Sequence, residues 1–303
     1  MLRQAENKVR IEGILSEINL KYGSFVKNGA TVDNIGGNIK VLVHQTINGE
    51  DVALEIPVYM FATKLTNAGK PNPAYESIEK VMTEFVSIAS GAGEAGADKI
   101  RITNGNIRMN EYYNQQGQLV SFPRVNASFV AKATGDFRPE ASWSLEFAVS
   151  SMDFVTDADG VEVEPKKLRI KVIVPQYGGK VDTMEFYATN PRVIDAITSY
   201  WENQKTYSAK GRLNFTSTTR EIIEECDFGE PDVRVQTVTV SELIVTKGTQ
   251  SAMEDDMEFK PADLAAALKE HKAYLETLKD KTSQKPHSTP APTSSNQEFD
   301  LGF

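Results

Sequence analysis

An internal repeat constrains this chain most, because the order of elements in residues 9–135 recurs in residues 143–249. In the first copy, alternation of apolar and polar residues predicts strands at about 9–20, 38–45, 51–62, 99–113 and 120–133. In the second copy, the same alternation predicts strands near 143–154, 167–175, 181–189, 206–222 and 233–247. We therefore expect two tandem copies of one small β-rich domain.

Each copy also contains one predicted helix between its third and fourth strands. In the first copy Asn72 is a suitable N-cap, Pro73 suits the first turn, and one helical face is formed by Tyr75, Ile78, Met82, Phe85 and Ala89. In the second copy the pair Asn190-Pro191 opens a helix that is predicted to run to about Asn203.

Three pairs of fragments match between the copies: Phe61-Ala62-Thr63 with Tyr187-Ala188-Thr189, Arg108-Met109-Asn110 with Arg212-Leu213-Asn214, and residues 125–135 with 238–248. Three strands, a helix and two more strands is the order found in the five-stranded OB barrel. The sequence thus predicts a mainly β protein with two tandem OB-like barrels, in residues 1–135 and 136–250. A generic pair of β-sandwich modules is the alternative.

The character of the chain changes after residue 250. Residues 251–281 are predicted to form an acidic linker and a helix opened by Pro261, with a narrow apolar stripe of Leu264, Leu268, His271, Leu275 and Leu278 that packs on a barrel or a partner. Residues 282–303 are rich in Ser, Thr, Pro and Gln, so they are expected to be disordered because they bury too little apolar area to order themselves.

Charge and cysteine content limit the possible functions. The net charge is -9, but residues 1–135 hold 14 Lys+Arg against 13 Asp+Glu, so the acidity lies in the second copy and the tail. A near-neutral first domain can still present a basic face.

The single cysteine, Cys226, excludes an internal disulfide and a multi-cysteine zinc site, which fits a reducing cytoplasm. No apolar run approaches the length of a membrane span, so no membrane partner is expected.

The outward faces of the predicted strands are the candidate binding surface. Alternation places Ile39, Val41, Val43, Leu54, Ile56, Val58 and Met60 inward, and Lys40, His44, Tyr59 and Phe61 outward. Exposed aromatic rings next to cations suit single-stranded nucleic acid, which is bound by stacking on its bases and by neutralising its backbone. Strand four adds Arg101, Arg108, Asn110 and Tyr112 to this face.

Two predicted loops extend the surface of the first copy. The loop at 21–36 carries Tyr22, Phe25 and Lys27, and the loop at 64–70, which contains Lys64 and Lys70, occurs only in this copy. The second copy offers Arg169, Lys171, Tyr187, Lys210, Arg212 and Asn214 at comparable places. Its first loop is acidic, so the first barrel is expected to dominate binding. Ordinary solvated strand faces, with the aromatic rings buried under loops, are the alternative.

The last six residues form a possible docking peptide. Acidic, aromatic and aliphatic side chains on a disordered tether can fill a pocket while the terminal carboxylate meets a basic rim, and the predicted partner-binding residues are Glu298, Phe299, Asp300, Leu301 and Phe303. A frayed terminus is the alternative.

OB-type barrels followed by a Pro/Ser/Gln-rich tether and an acidic tip that ends in Phe resemble the single-stranded DNA-binding proteins of bacteria and their phages. The bacterial tip is usually richer in Asp and ends Ile-Pro-Phe, whereas this chain ends Leu-Gly-Phe. Two barrels in one chain look more like divergent phage versions, which leaves the usual tetramer in doubt. The resemblance implies that the tip recruits replication and repair proteins and can compete with DNA for the barrel.

Signals for other chemistry are weak. The glycines at 91–96 match a dinucleotide-binding pattern, but they follow a helix and precede a strand, which is the reverse of what pyrophosphate binding needs. The acidic residues at 157–160 lack the further oxygen ligands of a calcium loop. Those at 254–258 could hold a hard cation but are more typical of a solvated linker. Nothing in the sequence brings Cys226 together with His44, His271 or His287. We therefore predict no cofactor, no metal and no enzyme activity.

The sequence favours a non-catalytic single-stranded DNA-binding protein that coats DNA during replication, recombination and repair with little sequence specificity. The alternative is a protein-interaction adaptor of a virion or a replisome that does not bind nucleic acid. A hydrolase or nuclease would need carboxylates converging on a metal ion, and the sequence shows no such set.

Overall fold

The computed structural model describes residues 2–47, 49–224 and 232–283, with only the backbone described at 217–224, 232–239 and 281–283. The first copy contains β1 (Asn7–Lys27), β2 (Ala30–Ile47), β3 (Glu50–Thr63), α1 (Pro73–Glu84), α2 (Gly93–Gly96), β4 (Lys99–Tyr113), β5 (Leu119–Asn126) and β6 (Ala131–Lys132). The second copy and the C-terminal region contain β7 (Glu140–Phe154), β8 (Leu168–Pro175), β9 (Val181–Ala188), α3 (Pro191–Tyr200), β10 (Thr206–Glu224), β11 (Asp232–Gly248) and α4 (Pro261–Ser283).

The strands of the first copy close into a barrel. β1, β2 and β3 pair antiparallel in chain order, β3 pairs parallel with β5, β5 pairs antiparallel with β4, and β4 returns to pair with β1. This closed order, with a helix between the third and fourth strands, is the OB topology. The second copy closes in the same way through β7, β8, β9, β11 and β10. The prediction of two OB-like barrels is confirmed, and the β-sandwich alternative is wrong.

Both barrels have the core that strand alternation predicts. All seven inward residues of the second and third strands are buried, from Ile39 at 0% to Met60 at 2% exposure. The second barrel is filled by aromatic side chains, with the Phe147 ring perpendicular to Phe186 at 5.0 Å and the Trp201 ring stacked on Tyr207 at 5.2 Å. Burying each large apolar side chain contributes about 1.5–3 kcal/mol.

The two barrel helices begin where predicted but end early. Asn72 accepts a hydrogen bond from the Ala74 N–H, and Asn190 accepts one from the Arg192 N–H, as N-caps do. α1 ends at Glu84 rather than Ala89, because Val86 exchanges hydrogen bonds of 2.8 Å with Asp98 and extended backbone is needed to form them.

The second helix, α3, ends at Tyr200 rather than about Asn203. Trp201 is already extended, and its buried ring belongs to the aromatic core of the second barrel. Tertiary packing of one side chain therefore ends this helix before the helical pattern of the sequence does.

The predicted loop at 21–36 is a β-hairpin. β1 and β2 stay paired to Lys27 and Ala30, and the turn consists of Asn28 and Gly29 with φ of 52° and 78°. Positive φ at both residues is the type I′ geometry, for which Asn-Gly is the preferred sequence. The prediction of a loop was wrong because this turn signal lay inside a segment with weak alternation. The fifth strand is also shorter than predicted, ending at Asn126.

The barrels are joined through their first strands. β1 pairs antiparallel with β7 from Asn7 opposite Leu145 to Glu12 opposite Glu140, which makes one continuous sheet. The helix α4 lies against both β4 and β9, with Leu264 and Ala267 buried, so the predicted stripe packs on both barrels. The tail from residue 284, including the terminal peptide, lies outside the described residues.

Strand pairing also corrects the alignment of the two copies. Val58 pairs with Val125 as Phe186 pairs with Leu243, so Tyr59 is equivalent to Tyr187. By the same pairing, Arg124 is equivalent to Glu242, Asn38 to Arg169 and Asn106 to Arg212. The sequence matches of Phe61 with Tyr187 and of Arg108 with Arg212 were wrong by two residues, because similarity of short fragments does not report hydrogen-bond register.

Candidate nucleic-acid interface

The outer face of the first barrel carries an aromatic platform on β3. Tyr59 lies opposite Asn38 of β2, and Phe61 lies opposite Gly36. A Cβ at Gly36 would approach the Phe61 ring to 2.9 Å, so only glycine lets this ring lie flat across the neighbouring strand. The platform therefore consists of Tyr59 and Phe61, which alternate along β3, and it needs Gly36 on β2 to leave room for the Phe61 ring.

An arginine that we did not predict completes this platform. The Arg124 guanidinium lies 5.0 Å from the centre of the Tyr59 ring and donates a 3.1 Å hydrogen bond to Asn110. No carboxylate of the described residues forms an ion pair with Arg124, and burial lowers the pKa of its guanidinium. Alternation around the buried Val125 places Arg124 on the outer face, so the sequence does contain a signal for this residue.

Several of the predicted binding cations form ion pairs with carboxylates of the protein itself. Arg101 makes a bidentate contact of 2.8 and 2.9 Å with the buried Glu12, and Arg108 reaches Asp182 of the second barrel at 2.7 Å. The Lys40 ammonium lies 2.7 Å from Glu17, and its other carboxylate neighbour is Glu55 at 3.6 Å. The His44 imidazole lies 3.2 Å from Glu94. Arg101 and Arg108 therefore hold β4 to β1 and to the second barrel.

The β1–β2 hairpin extends the platform with further cations and an aromatic ring. Lys21 lies opposite Gly36, and alternation along β1 puts Phe25 and Lys27 on the same face. Tyr22 points to the other face, where its hydroxyl donates a 3.0 Å hydrogen bond to Glu79 of α1. Three further predicted residues, Lys64, Lys70 and Tyr112, are exposed around the first barrel.

At the equivalent position of the second barrel, Tyr187 has a different environment. The Lys167 ammonium lies 4.5 Å above its ring and forms an ion pair with Glu242, while the Tyr187 hydroxyl donates a 2.7 Å hydrogen bond to Glu185. Burial and these carboxylates raise the pKa of Tyr187. Lys171 and Lys210 are exposed, and Arg169 and Arg212 flank Tyr187 across the sheet.

The described residues provide no obvious site for other chemistry. No group of three or more His, Cys, Asp or Glu side chains among them is placed to hold a metal ion. The glycines at 91–96 form a four-residue helix ahead of β4, and Asp157 accepts hydrogen bonds from two backbone N–H groups of its own turn. Cys226 and His287 lie outside the described residues. Within the described part of the chain, no helix is long and apolar enough to cross a membrane.

The closed strand order and these outer faces define a tandem OB-barrel protein. The chain belongs to the YorF family, whose model matches residues 5–281. No curated protein matches the sequence.

Three solved structures are similar to the chain. A deletion variant of the single-stranded DNA-binding protein from Thermus aquaticus has a TM-score of 0.49 and 14% identity, covering 85% of this chain and 98% of its own. The wild-type protein from Thermus aquaticus gives 0.48 and 12%, covering 84% and 96%. A replication protein A heterotrimer bound to single-stranded DNA gives 0.24 and 6%, covering 78% and 49%. The barrel assignment depends on strand order rather than on these similarities.

Proposed function

We propose that this protein binds single-stranded DNA without catalysis, mainly through the outer face of its first barrel. The observation that carries the proposal is the platform of Tyr59 and Phe61 with Arg124, whose guanidinium has no ion-pair partner among the described residues. The β1–β2 hairpin supplies Lys21 and Lys27 beside it.

These side chains match what a single strand requires. Each base that stacks on an aromatic ring contributes about 1–3 kcal/mol, and every base has a ring face, so stacking carries little sequence preference. Arginine and lysine neutralise phosphates and release counterions, which makes the affinity fall as salt rises. A duplex hides its base faces, so it would bind more weakly than a single strand.

The test is a titration of the full chain into a fluorescent 30-nucleotide single strand and into the matching duplex, at low and moderate salt. The proposal expects tighter binding to the single strand, weakening as salt rises. The variant Tyr59→Ala with Phe61→Ala should lose most of this affinity. The matched control is Tyr177→Ala, which removes a tyrosine that is 82% exposed on a turn of the second barrel.

Absence of binding at low salt would refute the proposal and favour the adaptor alternative. The barrels and α4 would then serve as surfaces for other proteins. A pull-down with the full chain and with a chain lacking residues 251–303 would locate that surface.

We also propose that the C-terminal tip recruits replication, recombination and repair proteins in the cytoplasm of a bacterial or phage-infected cell. Support comes from the acidic and aromatic composition of Glu298, Phe299, Asp300, Leu301 and Phe303. Deleting residues 298–303 should abolish partner capture, and the single-strand affinity should be retained or raised, because a competing tip would be gone. Partners retained by the truncated chain would refute this role.

A further inference from the structure

Two arginines of the second barrel lie on either side of Tyr187. Arg169 of β8 pairs directly with Tyr187, Tyr187 pairs with Ile244 of β11, and Ile244 pairs with Arg212 of β10. All four residues therefore belong to one row on the same outer face. Three strand spacings separate the two arginine backbones, which is roughly 14 Å along the sheet.

Neither arginine has a carboxylate partner among the residues that the structure describes. Both are partly exposed, and neither forms an ion pair or a side-chain hydrogen bond with any residue that the structure describes. Arg101 and Arg108 of the first barrel, in contrast, each contact a carboxylate. A partly buried guanidinium without an anion is unfavourable, so these two positions suit an anionic ligand.

The first barrel has uncharged residues at the equivalent positions. Asn38 stands where the second barrel has Arg169, and Asn106 stands where it has Arg212. Although residues 136–250 are the more acidic in total charge, they place on this face two arginines that have no ion pair with any described residue.

The same face is poorly suited to stacking. The Tyr187 ring is covered by Lys167, and Glu242 holds Lys167 in that position. A base would have to displace an ion-paired ammonium to reach the ring. The exposed parts of Arg169 and Arg212 remain open to a backbone.

We propose that Arg169 and Arg212 bind phosphates of the single-stranded DNA backbone, while the first barrel stacks the bases. This inference rests on the proposed function. The aromatic rings of the first barrel would then supply stacking contacts that salt affects little, and Arg169 and Arg212 would add phosphate contacts that depend strongly on salt.

The salt dependence of binding tests the division. For each variant of the full chain, the affinity for the fluorescent 30-nucleotide strand is measured from low to moderate salt. Because each phosphate contact adds about 0.7 to the slope of log affinity against log salt for single strands, Arg169→Gln with Arg212→Gln should reduce that slope by about 1.4. Tyr59→Ala with Phe61→Ala should lower the affinity and leave the slope unchanged. Arg192→Gln, at an exposed arginine of α3, should change neither.

A strand without bases separates the two contributions further. An abasic 30-nucleotide strand offers phosphates alone, so its affinity should fall with Arg169→Gln and Arg212→Gln and should not respond to Tyr59→Ala and Phe61→Ala. Arg169→Lys with Arg212→Lys should keep the slope, since the charge remains. Thermal unfolding of each variant checks that the barrel is intact.

The outcomes distinguish the two proposals. If the unaltered chain binds no single strand, the proposed function fails. If it binds and the arginine variant keeps the slope of the unaltered chain, the function stands and the phosphate site is refuted.

Discussion

The two barrels share one topology and place a tyrosine at the same position, yet the charge beside that tyrosine is opposite. Tyr59 has Arg124 on the neighbouring strand, and Tyr187 has Glu242 at the equivalent residue. Glu242 forms an ion pair with Lys167, which lies over the Tyr187 ring, whereas Arg124 lies beside the Tyr59 ring and donates a hydrogen bond to Asn110. One fold can thus place an arginine or a glutamate on the strand beside the same tyrosine.

The barrels also differ in which hairpin they lengthen. The first extends β1 and β2 to the turn at Asn28 and Gly29, and the second extends β10 and β11. In OB barrels the loops between strands one and two and between strands four and five border the binding face. Each barrel therefore enlarges a different side of its own face.

A third difference lies beneath the surface. Both barrels bury a glutamate at the same place in their first strand, Glu12 and Glu146. Glu12 is paired with Arg101 of its own barrel, but Glu146 is paired at 2.6 Å with Arg3 of the N-terminal segment. The contacts of Arg3, Ala5 and Glu6 show that residues 2–6 pack on the second barrel. The domain boundary between residues 135 and 136 remains a prediction.

The largest expected effect is on the free energy of unfolding, and it should differ between the two barrels. Arg101→Met should destabilise the first barrel and Arg3→Met the second, by up to about 3 kcal/mol each, because each removes the nearest cation of a buried carboxylate. Hydrogen exchange resolved by segment measures where the loss occurs. Arg138→Met, at an exposed arginine whose side chain contacts Asp136, is the control and should cost under about 1 kcal/mol. Equal loss in both barrels from either change would contradict this comparison.

The pH dependence of the first pair has a definite sign. The hydrogen bonds from Arg101 lower the pKa of Glu12. Its stabilising effect is therefore fully present above the ordinary glutamate value and is lost as the pH falls through the lowered pKa. Acid unfolding of the unaltered chain should accordingly be steeper than that of Arg101→Met. Identical acid-unfolding curves would contradict the assignment.

The next effect concerns the two tyrosines. Tyr59→Ala with Phe61→Ala should cost about 3 kcal/mol of single-strand binding, roughly a hundredfold, because two stacking rings are removed. Tyr187→Ala should change the affinity less than about threefold, since its ring is already covered. Fluorescence titration measures both. A larger loss from Tyr187→Ala would reverse the roles that we assign to the barrels.

Exchanging the charges beside the tyrosines should weaken the contrast. Arg124→Glu should lower single-strand affinity by about 1.4 kcal/mol, roughly tenfold, because a carboxylate would then repel the backbone. Glu242→Arg should release Lys167 and raise the affinity by a few-fold. The same titration checks both, with Arg192→Glu, at an exposed arginine of α3, as the control that should change the affinity little. If both substitutions shifted the single-strand affinity in the same direction, the comparison of the two barrels would be contradicted.

The smallest effect lies where α4 joins the barrels. His271 is 3.2 Å from Glu111 of the first barrel, and Asp182 of the second is also near, so the pKa of His271 is raised by these carboxylates. Because the folded pKa exceeds the unfolded one, this contribution is complete below the ordinary histidine value and is lost as the pH rises through the raised pKa. The hydrogen-exchange protection factor of α4, in which the intrinsic pH dependence of amide exchange is removed, should fall by roughly fivefold, about 1 kcal/mol, between these limits. His271→Gln should remove the pH dependence, and its persistence in that variant would contradict the assignment.

Much of the candidate site was predictable because alternation states which side chains face outward. Tyr59 and Phe61 lie on the outer face of β3 as the pattern indicated. The pattern does not report which cations meet carboxylates, so Arg101 and Arg108 were predicted as contacts although Glu12 and Asp182 hold them. The pattern also does not show that Arg124 lies beside Tyr59, because that contact depends on the pairing of β5 with β3.

The sequence by itself determined the repeat, the strand and helix order, the helix caps and the inward residues of each barrel. All of these follow from local periodicity and from side-chain chemistry within a few residues. Only the tertiary structure decided the register between copies, the pairing of β1 with β7, and the burial of Glu146 against Arg3. These depend on hydrogen bonds and charges between residues far apart in the chain, and local patterns do not encode such contacts.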